Sequence, residues 1–246
     1  MIVGFCGAGN MAAAMARGLV GEVELMLFTD SGSGRAEKLA RQVGGEVAVS
    51  NGELAARADV VVLAVKPAKL EEVAAELGGA RTVLSLLGAT SLQRVAEAFP
   101  NAEVIRVMPN VAVEVRRGVL CVAGGVSDEV RGMLEVLGHV VELPDEQFDA
   151  ATAVMGCAPA YLALAVEALA GAGVEAGLEE ELARELVVET TGGTAELLRL
   201  RHPADVRRAV ASPGGSTEAG LEALDREGAA PAFAAAVRAS LERMRA

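Results

Sequence analysis

The chain has very few aromatic side chains and a deficit of positive charge, and both absences limit what it can be. Its 246 residues include five Phe, one Tyr and no Trp, although apolar residues make up 52% of the total. The core must therefore consist of Ala, Val and Leu, which favours closely packed helices and a large buried subunit interface. A formal net charge of −12, without a clustered stripe of Lys and Arg, argues against nucleic acid as a partner.

Cysteine and histidine are equally scarce. The three cysteines, Cys6, Cys121 and Cys157, are odd in number and lack the spacing of metal ligands. We therefore expect free thiols, no metal and a cytoplasmic location. Of the two histidines, His139 is predicted to open a strand and His202, which precedes a proline, to cap a helix end. Both are poor candidates for catalysis.

Neither a signal peptide nor a membrane span is expected. The apolar N-terminus leads directly into glycines, without a basic segment or a cleavage site. Residues 150–166 carry no charge, but they are short for a span and are interrupted by Gly156 and Pro159. We expect a helix buried at an interface and no membrane partner.

Short apolar runs alternate with amphipathic stretches up to residue 145. The runs predicted as strands are 2–6, 25–28, 47–49, 60–65, 83–87, 104–108, 119–122 and 140–143. The stretches predicted as helices are 11–19, 35–43, 70–77, 92–98 and 128–137. Strands that are apolar throughout and alternate with helices indicate a mostly parallel sheet covered on both faces, an α/β fold.

The pattern changes after residue 145, beyond which no strand is predicted. The helical segments there are 147–155, 159–172, 178–200, 204–210, 217–227 and 231–244. A strand-rich half followed by an all-helical half predicts two domains, 1–145 and 146–246.

A glycine-rich turn joins the first predicted strand to the first predicted helix. Gly7 would permit a tight turn, Gly9 would let a pyrophosphate approach the helix N-terminus, and Ala12 stands where a third glycine often does. This context predicts a Rossmann-type dinucleotide site. The alternative is a turn whose glycines only let the strand and the helix pack together.

The sequence leaves the choice between NAD and NADP open. Asp30, about twenty residues beyond the glycines, could accept a hydrogen bond from a ribose 2′-hydroxyl and favour NAD. Arg35 and Lys38 could instead neutralise the 2′-phosphate of NADP. Lys66, at the end of the fourth predicted strand, would face either the ligand or the solvent.

A second turn, Ser212-Pro213-Gly214-Gly215-Ser216-Thr217, opens into a predicted helix near the C-terminus. The hydroxyls of Ser216 and Thr217 are predicted to be N-caps. Backbone N–H groups at such a helix end attract a carboxylate or a phosphate. The alternative is an ordinary capped helix without a ligand.

In their order and spacing, several segments resemble the pyrroline-5-carboxylate reductase family over nearly the whole chain. They are Phe5-x-Gly7-x-Gly9-Asn10-Met11-Ala12, Ala64-Val65-Lys66-Pro67, Arg106-Val107-Met108-Pro109-Asn110, Ala158-Pro159-Ala160-Tyr161, His202-Pro203 and Ser212–Thr217. The resemblance implies reduction of the cyclic imine 1-pyrroline-5-carboxylate to proline, with NADPH usually preferred and NAD as the other candidate. It also implies a homodimer, or a larger oligomer of dimers, in which the helical half of one subunit completes the active site of the other.

The resemblance implies two groups of site residues. Cofactor-binding residues would be Gly7, Ala8, Gly9, Asn10, Met11, Thr29, Arg35, Asn51, Ala64, Lys66 and Pro67. The substrate carboxylate would be held by Ser212, Gly214, Gly215, Ser216 and Thr217. An imine is basic enough to arrive partly protonated, so positioning matters more than a strong acid. Thr217 is the best candidate to hydrogen-bond the ring nitrogen and relay a proton.

Several residues depart from the family pattern around the expected site. Val111 and Ala112 replace Thr-Pro, Ala158 replaces Gly, Gly171 replaces Asp, and Glu218 replaces an apolar residue. Two alternatives therefore stand beside the reductase hypothesis. One is a related cyclic-imine reductase with an altered pocket, and the other is a non-catalytic paralogue that binds dinucleotide.

Overall fold

A computed structural model describes residues 1–245 of the chain. Packing divides them into two compact units, Met1–Cys157 together with residues 241–245, and Ala158–Ser240. Each unit has its own architecture.

The first unit contains a single eight-stranded sheet. Its strands are β1 Ile2–Cys6, β2 Leu25–Thr29, β3 Glu46–Val47, β4 Val60–Leu63, β5 Thr82–Ser85, β6 Glu103–Pro109, β7 Gly118–Ala123 and β8 Gly138–Glu142. They lie in the order β3-β2-β1-β4-β5-β6-β7-β8. Every neighbouring pair is parallel except β6 and β7. The predicted mostly parallel sheet is confirmed.

Helices cover both faces of this sheet, which explains why its strands are apolar throughout. They are α1 Asn10–Gly18, α2 Arg35–Val43, α3 Asn51–Arg57, α4 Leu70–Glu76, α5 Leu92–Ala98 and α6 Asp128–Leu137. One core cluster contains Phe5, Met15 and Phe28, and the cluster on the other face contains Leu54 and Leu77. The Phe5 and Phe28 rings stack with centroids 5.2 Å apart, joining β1 to β2.

Helix α3 was not predicted, and the strand predicted at 47–49 is shorter than expected. Ser50 caps α3 by accepting a hydrogen bond from the Glu53 amide at 3.1 Å. The Glu53 carboxylate in turn accepts from the Val49 amide at 2.7 Å. This reciprocal capping draws residue 49 out of β3 and leaves the Val49 side chain 92% exposed.

The segment predicted as one helix at 147–155 is three short turns in succession. A 3₁₀ turn at Asp145–Gln147 precedes α7 at Phe148–Ala151, and a π-helical turn follows at Thr152–Gly156. Thr152 Oγ1 donates to the Phe148 carbonyl at 2.7 Å. Side-chain bonds of this kind compete with the regular helical ladder, and π turns are frequent near functional sites.

The second unit is entirely helical. Its helices are α8 Ala158–Glu175, α9 Glu180–Leu200, α10 Pro203–Val210, α11 Ser216–Arg226 and α12 Ala229–Arg245, the last of which runs on into residues 241–245 of the first unit. His202 begins α10 as its N-cap, as predicted, and its Nδ1 accepts from the Ala204 amide at 3.2 Å.

The helical unit has almost no core of its own, since Ala183 is the one buried residue of Ala158–Ser240. Leu164 is 64% exposed and Leu200 is 82% exposed. Among the described residues, Asp145–Glu175 is long and apolar enough to cross a membrane by length and composition, and 6% of its most apolar window is buried. The segment was expected to be buried at an interface, and the described residues of its own chain leave it mostly exposed. An apolar surface of this extent marks an interaction face.

Candidate active site

Gly7 forms the tight turn between β1 and α1, and no other residue fits there. Its φ is +100°, and a Cβ at this position would lie 2.5 Å from the Ala64 carbonyl oxygen. The Gly7 amide donates to the Thr29 carbonyl at 3.0 Å. The turn is therefore held between the ends of β2 and β4, at the carboxyl edge of the sheet, where ligands bind in folds of this type.

Gly9 lies in front of an open helix N-terminus. It is the N-cap of α1 with an extended backbone, and no side chain of the described residues caps this helix end. A Cβ on Gly9 would meet no atom of another part of residues 1–245 within 4 Å. The amides of the first turn therefore face a space that an anion can enter. A dinucleotide pyrophosphate fits this cradle in charge and in approach.

Thr29 and Asn51, both expected near the adenosine end of the cofactor, are in direct contact. Thr29 Oγ1 donates to Asn51 Oδ1 at 2.6 Å, and Cys6 Sγ donates to the same oxygen at 3.4 Å. Asn51 Nδ2 donates to the Glu76 carboxylate at 2.6 Å. Burial raises the pKa of the Cys6 thiol to about 11, with a lowering contribution from the Thr29 hydrogen bond and a raising one from the Glu76 charge. Cys6 therefore stays a neutral donor.

Asp30 is bound by its own loop. Its carboxylate accepts from the Ser33 hydroxyl at 2.6 Å and from the amides of Gly32 and Arg35 at 2.8 Å. The amides of Ala36 and Ser33 add two more bonds, at 3.1 Å and 3.2 Å. Burial alone would raise the pKa of Asp30, but these hydrogen bonds outweigh it and lower the pKa to about 2. Because its oxygens already serve the loop and the start of α2, Asp30 is poorly placed to select NAD through a ribose hydroxyl.

Lys66 and Pro67 follow β4 at the same edge of the sheet. Lys66 is exposed and precedes the 3₁₀ turn Pro67–Lys69. A cavity of about 600 Å³ opens beside this turn, with Pro67, Ala89 and Thr90 among its lining residues. The first unit thus gathers Gly7, Thr29, Asn51 and the β4 turn around one edge.

The serine–glycine loop in the second unit differs from the prediction in its capping. Gly215, with an extended backbone, is the N-cap of α11, so Ser216 and Thr217 are the first two helical residues and neither hydroxyl is the cap. The Gly215 amide closes the turn on the Ser212 carbonyl at 2.9 Å. Gly214 has a φ of +72°, a conformation that glycine adopts without strain. The predicted N-cap role of the two hydroxyls is therefore wrong, because glycine starts the helix.

Comparison with known proteins agrees with this geometry. A family model described as pyrroline-5-carboxylate reductase dimerisation matches residues 145–246, and one described as NADP oxidoreductase, coenzyme F420-dependent, matches residues 2–87. The pyrroline-5-carboxylate reductase of Synechocystis is 37% identical over 98% of this chain and 96% of its own length. The chain belongs to the pyrroline-5-carboxylate reductase family.

Solved structures of the family superpose on nearly the whole chain. The 1-pyrroline-5-carboxylate reductase of Streptococcus pyogenes has a TM-score of 0.89 at 30% identity, covering 99% of this chain and 98% of that one. A Plasmodium falciparum pyrroline carboxylate reductase, solved with NADP bound, has a TM-score of 0.85 at 26% identity, covering 99% and 97%. The chain therefore has the fold of the reductase family.

Arg106 and Asn110, which carried the resemblance to the reductase family, have structural contacts here. Arg106 is 4% exposed, pairs with Asp145 at 2.8 Å and lies 4.5 Å above the Phe148 ring. Asn110 accepts from the Val119 amide and donates to the Met155 carbonyl, both at 3.2 Å. Both side chains therefore tie β6 to the segment that leads into the helical half.

The contacts of three acidic residues were not predicted from the sequence. Asp145, besides its pair with Arg106, accepts from the Leu92 amide at 3.0 Å, at the start of α5. Glu76 orients Asn51, and the Glu218 carboxylate accepts from the Gly214 amide of the serine–glycine loop at 2.7 Å. Only Glu218 carried a signal in the sequence, as an acid in the first turn of a helix.

Proposed function

We propose that the chain reduces 1-pyrroline-5-carboxylate to L-proline with NADPH as the hydride donor. The observation that carries this proposal is the full-length similarity to pyrroline-5-carboxylate reductases, at 37% identity to that of Synechocystis. The open cradle at Gly9 supports it independently, because the residues that the family would use for the cofactor surround an unobstructed helix N-terminus.

The first unit would bind the cofactor. The backbone amides after Gly9 would hold the pyrophosphate, and Gly7 would keep the turn close to β4. Thr29 and Asn51 would lie at the adenosine end, with Ala64, Lys66 and Pro67 along the β4 turn. NADPH, when bound, supplies the hydride. The internal bonding of Asp30 favours NADPH over NADH, and the neighbouring Arg35 would meet the 2′-phosphate.

The second unit would bind the substrate through the serine–glycine loop. Ser212, Ser216 and the amides around Gly214 and Gly215 would hold the carboxylate at the N-terminus of α11, where the helix dipole favours negative charge. Thr217 would donate to or accept from the ring nitrogen and relay its proton. Positioning and charge complementarity are sufficient for the reduction without a strongly acidic side chain, because the imine nitrogen is itself basic and can bind already protonated.

We further propose a division of labour between residues 1–145, which bind the cofactor, and residues 146–246, which bind substrate and pair two chains. The apolar, exposed surface of α8 and α9 supports a homodimer or a larger oligomer of dimers. The free cysteines fit a location in the cytoplasm. Sedimentation of the purified protein checks the oligomeric state, and a monomer at micromolar concentration would contradict it.

Thr217→Ala tests the catalytic assignment. We expect kcat for the imine to fall about a hundredfold or more, with the Kd for NADPH unchanged, because proton delivery and nitrogen positioning are lost. Thr191→Ala serves as the matched control, because the hydroxyl that it removes bonds, among residues 1–245, the Val187 carbonyl of its own helix α9. Full activity of Thr217→Ala would refute the assignment.

A second candidate function is reduction of a related cyclic imine, and the contact of Glu218 with the substrate loop favours it. A panel of cyclic imines of different ring size distinguishes the two candidate functions. A larger kcat/KM for another ring than for 1-pyrroline-5-carboxylate would identify the true substrate. A chain that binds NADPH and reduces none of them would be the non-catalytic paralogue. Rescue of a proline auxotroph would exclude that alternative.

A further inference from the structure

The loop that we assign to the substrate carboxylate already holds a carboxylate of this chain. Glu218 is the third residue of α11, counted from its N-cap Gly215. Its side chain turns back, and Oε2 accepts from the Gly214 amide at 2.7 Å. This distance is typical of a charge-assisted N–H···O⁻ bond. The loop is exposed, whereas Glu218 is half-buried against it.

A ligand carboxylate and the Glu218 carboxylate cannot both use this donor. Each carries a negative charge, and each would occupy the same end of α11, where free N–H groups and the helix dipole attract an anion. Binding of a carboxylate ligand therefore requires that Glu218 release Gly214. A ligand that binds only a fraction of the molecules has an apparent affinity reduced by that fraction.

We propose that Glu218 makes an autoinhibitory contact, in which it acts as an internal competitor for carboxylate ligands of the loop. This inference rests on the proposed function of the loop. Every ligand that needs the Gly214 amide binds only the molecules in which Glu218 has released it. The apparent affinities of a simple monocarboxylate and of a cyclic imino acid are therefore lowered by the same factor.

The competing interpretation is that Glu218 is only a helix cap. An acid at the third helical position often reaches back to an amide before the helix, and such a contact stabilises the helix without any ligand. The two roles predict opposite effects on ligand affinity. Removal of a cap loosens the loop and weakens binding, whereas removal of a competitor strengthens it.

The test compares Glu218→Gln and Glu218→Ala with Glu222→Gln, which removes an exposed carboxylate one turn further along α11. If Glu218 holds the loop in about nine of ten molecules, both Glu218 variants should lower the KM for 1-pyrroline-5-carboxylate about threefold to tenfold. The inhibition constant of propionate should fall by the same factor, because both ligands need the same donor. The KM for NADPH should stay unchanged, as should every constant of Glu222→Gln.

An unchanged or higher KM for the imine in both Glu218 variants, together with a lower melting temperature, would overturn the inference and leave a helix cap. Calorimetric titration with propionate separates this outcome from failure of the proposed function. If the wild-type chain reduces no imine, the proposed function fails. Tighter propionate binding by Glu218→Gln than by wild type would still support the competitor, and equal binding would refute it.

Discussion

Substitution of Gly9 by Ala should weaken NADPH binding about a hundredfold without damage to the fold. Gly9 has φ −76° and ψ −178°, which Ala adopts freely. A Cβ there meets no protein atom within 4 Å. The added methyl group therefore enters only the space in front of α1, where the pyrophosphate is expected to approach the backbone.

The size of the effect follows from the hydrogen bonds at stake. Displacement of the pyrophosphate by one methyl group would break about two charge-assisted bonds to the amides after Gly9, each worth about 1.5 kcal/mol. The sum of about 3 kcal/mol corresponds to a roughly hundredfold weaker Kd for NADPH. The free energy of unfolding should stay the same or rise by about 0.5 kcal/mol, because Ala lowers the entropy of the unfolded chain.

Calorimetric titration with NADPH and denaturant unfolding measure the two quantities in the same preparations. Gly132→Ala is the matched control, since a Cβ there also meets nothing within 4 Å but lies in α6. It should stabilise the protein by up to about 1 kcal/mol and leave the Kd unchanged. If Gly9→Ala binds NADPH as tightly as wild type, the assignment of the cradle is refuted.

Two further predictions concern stability. Asp145→Ala should lower the free energy of unfolding by about 3 kcal/mol, because it leaves the buried Arg106 without its partner. Glu71→Ala breaks an exposed pair with Arg94 and should cost less than about 1 kcal/mol in the same denaturant titration. Equal losses of stability in the two variants would contradict the idea that burial of Arg106 makes its pair the more important one. Asp30 should contribute stability above about pH 4 that is lost as the pH falls towards its folded pKa of about 2, from an ordinary value of 3.8. Asp30→Asn should remove this part of the pH dependence of unfolding, and an unchanged acid limb would refute it.

The strands and most helices of the sheet domain were predictable because their signals are local. Runs that are apolar throughout predicted β1 and the central strands, and amphipathic spacing predicted α2, α5 and α6 at their observed bounds. Helix α3 was missed because it buries only Leu54 and Ala55 and so has little periodicity. Its capping pair, Ser50 and Glu53, was the available signal. The antiparallel pairing of β6 with β7 depends on a turn whose direction no local pattern gives.

The site residues also divide into those whose role follows from local geometry and those whose role depends on tertiary contacts. Gly7 in the turn between β1 and α1 could be predicted, because its φ of +100° restricts the position to glycine. The partners of charged residues are not readable. Asp30 satisfies its own loop, and Asp145 reaches Arg106, only because of how the chain turns around them. The roles of the predicted substrate residues, Thr217 above all, stay predictions until variants are measured.

An NADPH-dependent reductase of 1-pyrroline-5-carboxylate must oxidise its cofactor only when the imine is present. Purified protein is mixed with NADPH, or in parallel with NADH, and cofactor absorbance is followed with and without the imine. We expect imine-dependent oxidation that is faster with NADPH, with one L-proline formed per cofactor consumed. Bound NADPH that is never oxidised when the imine is added would contradict it.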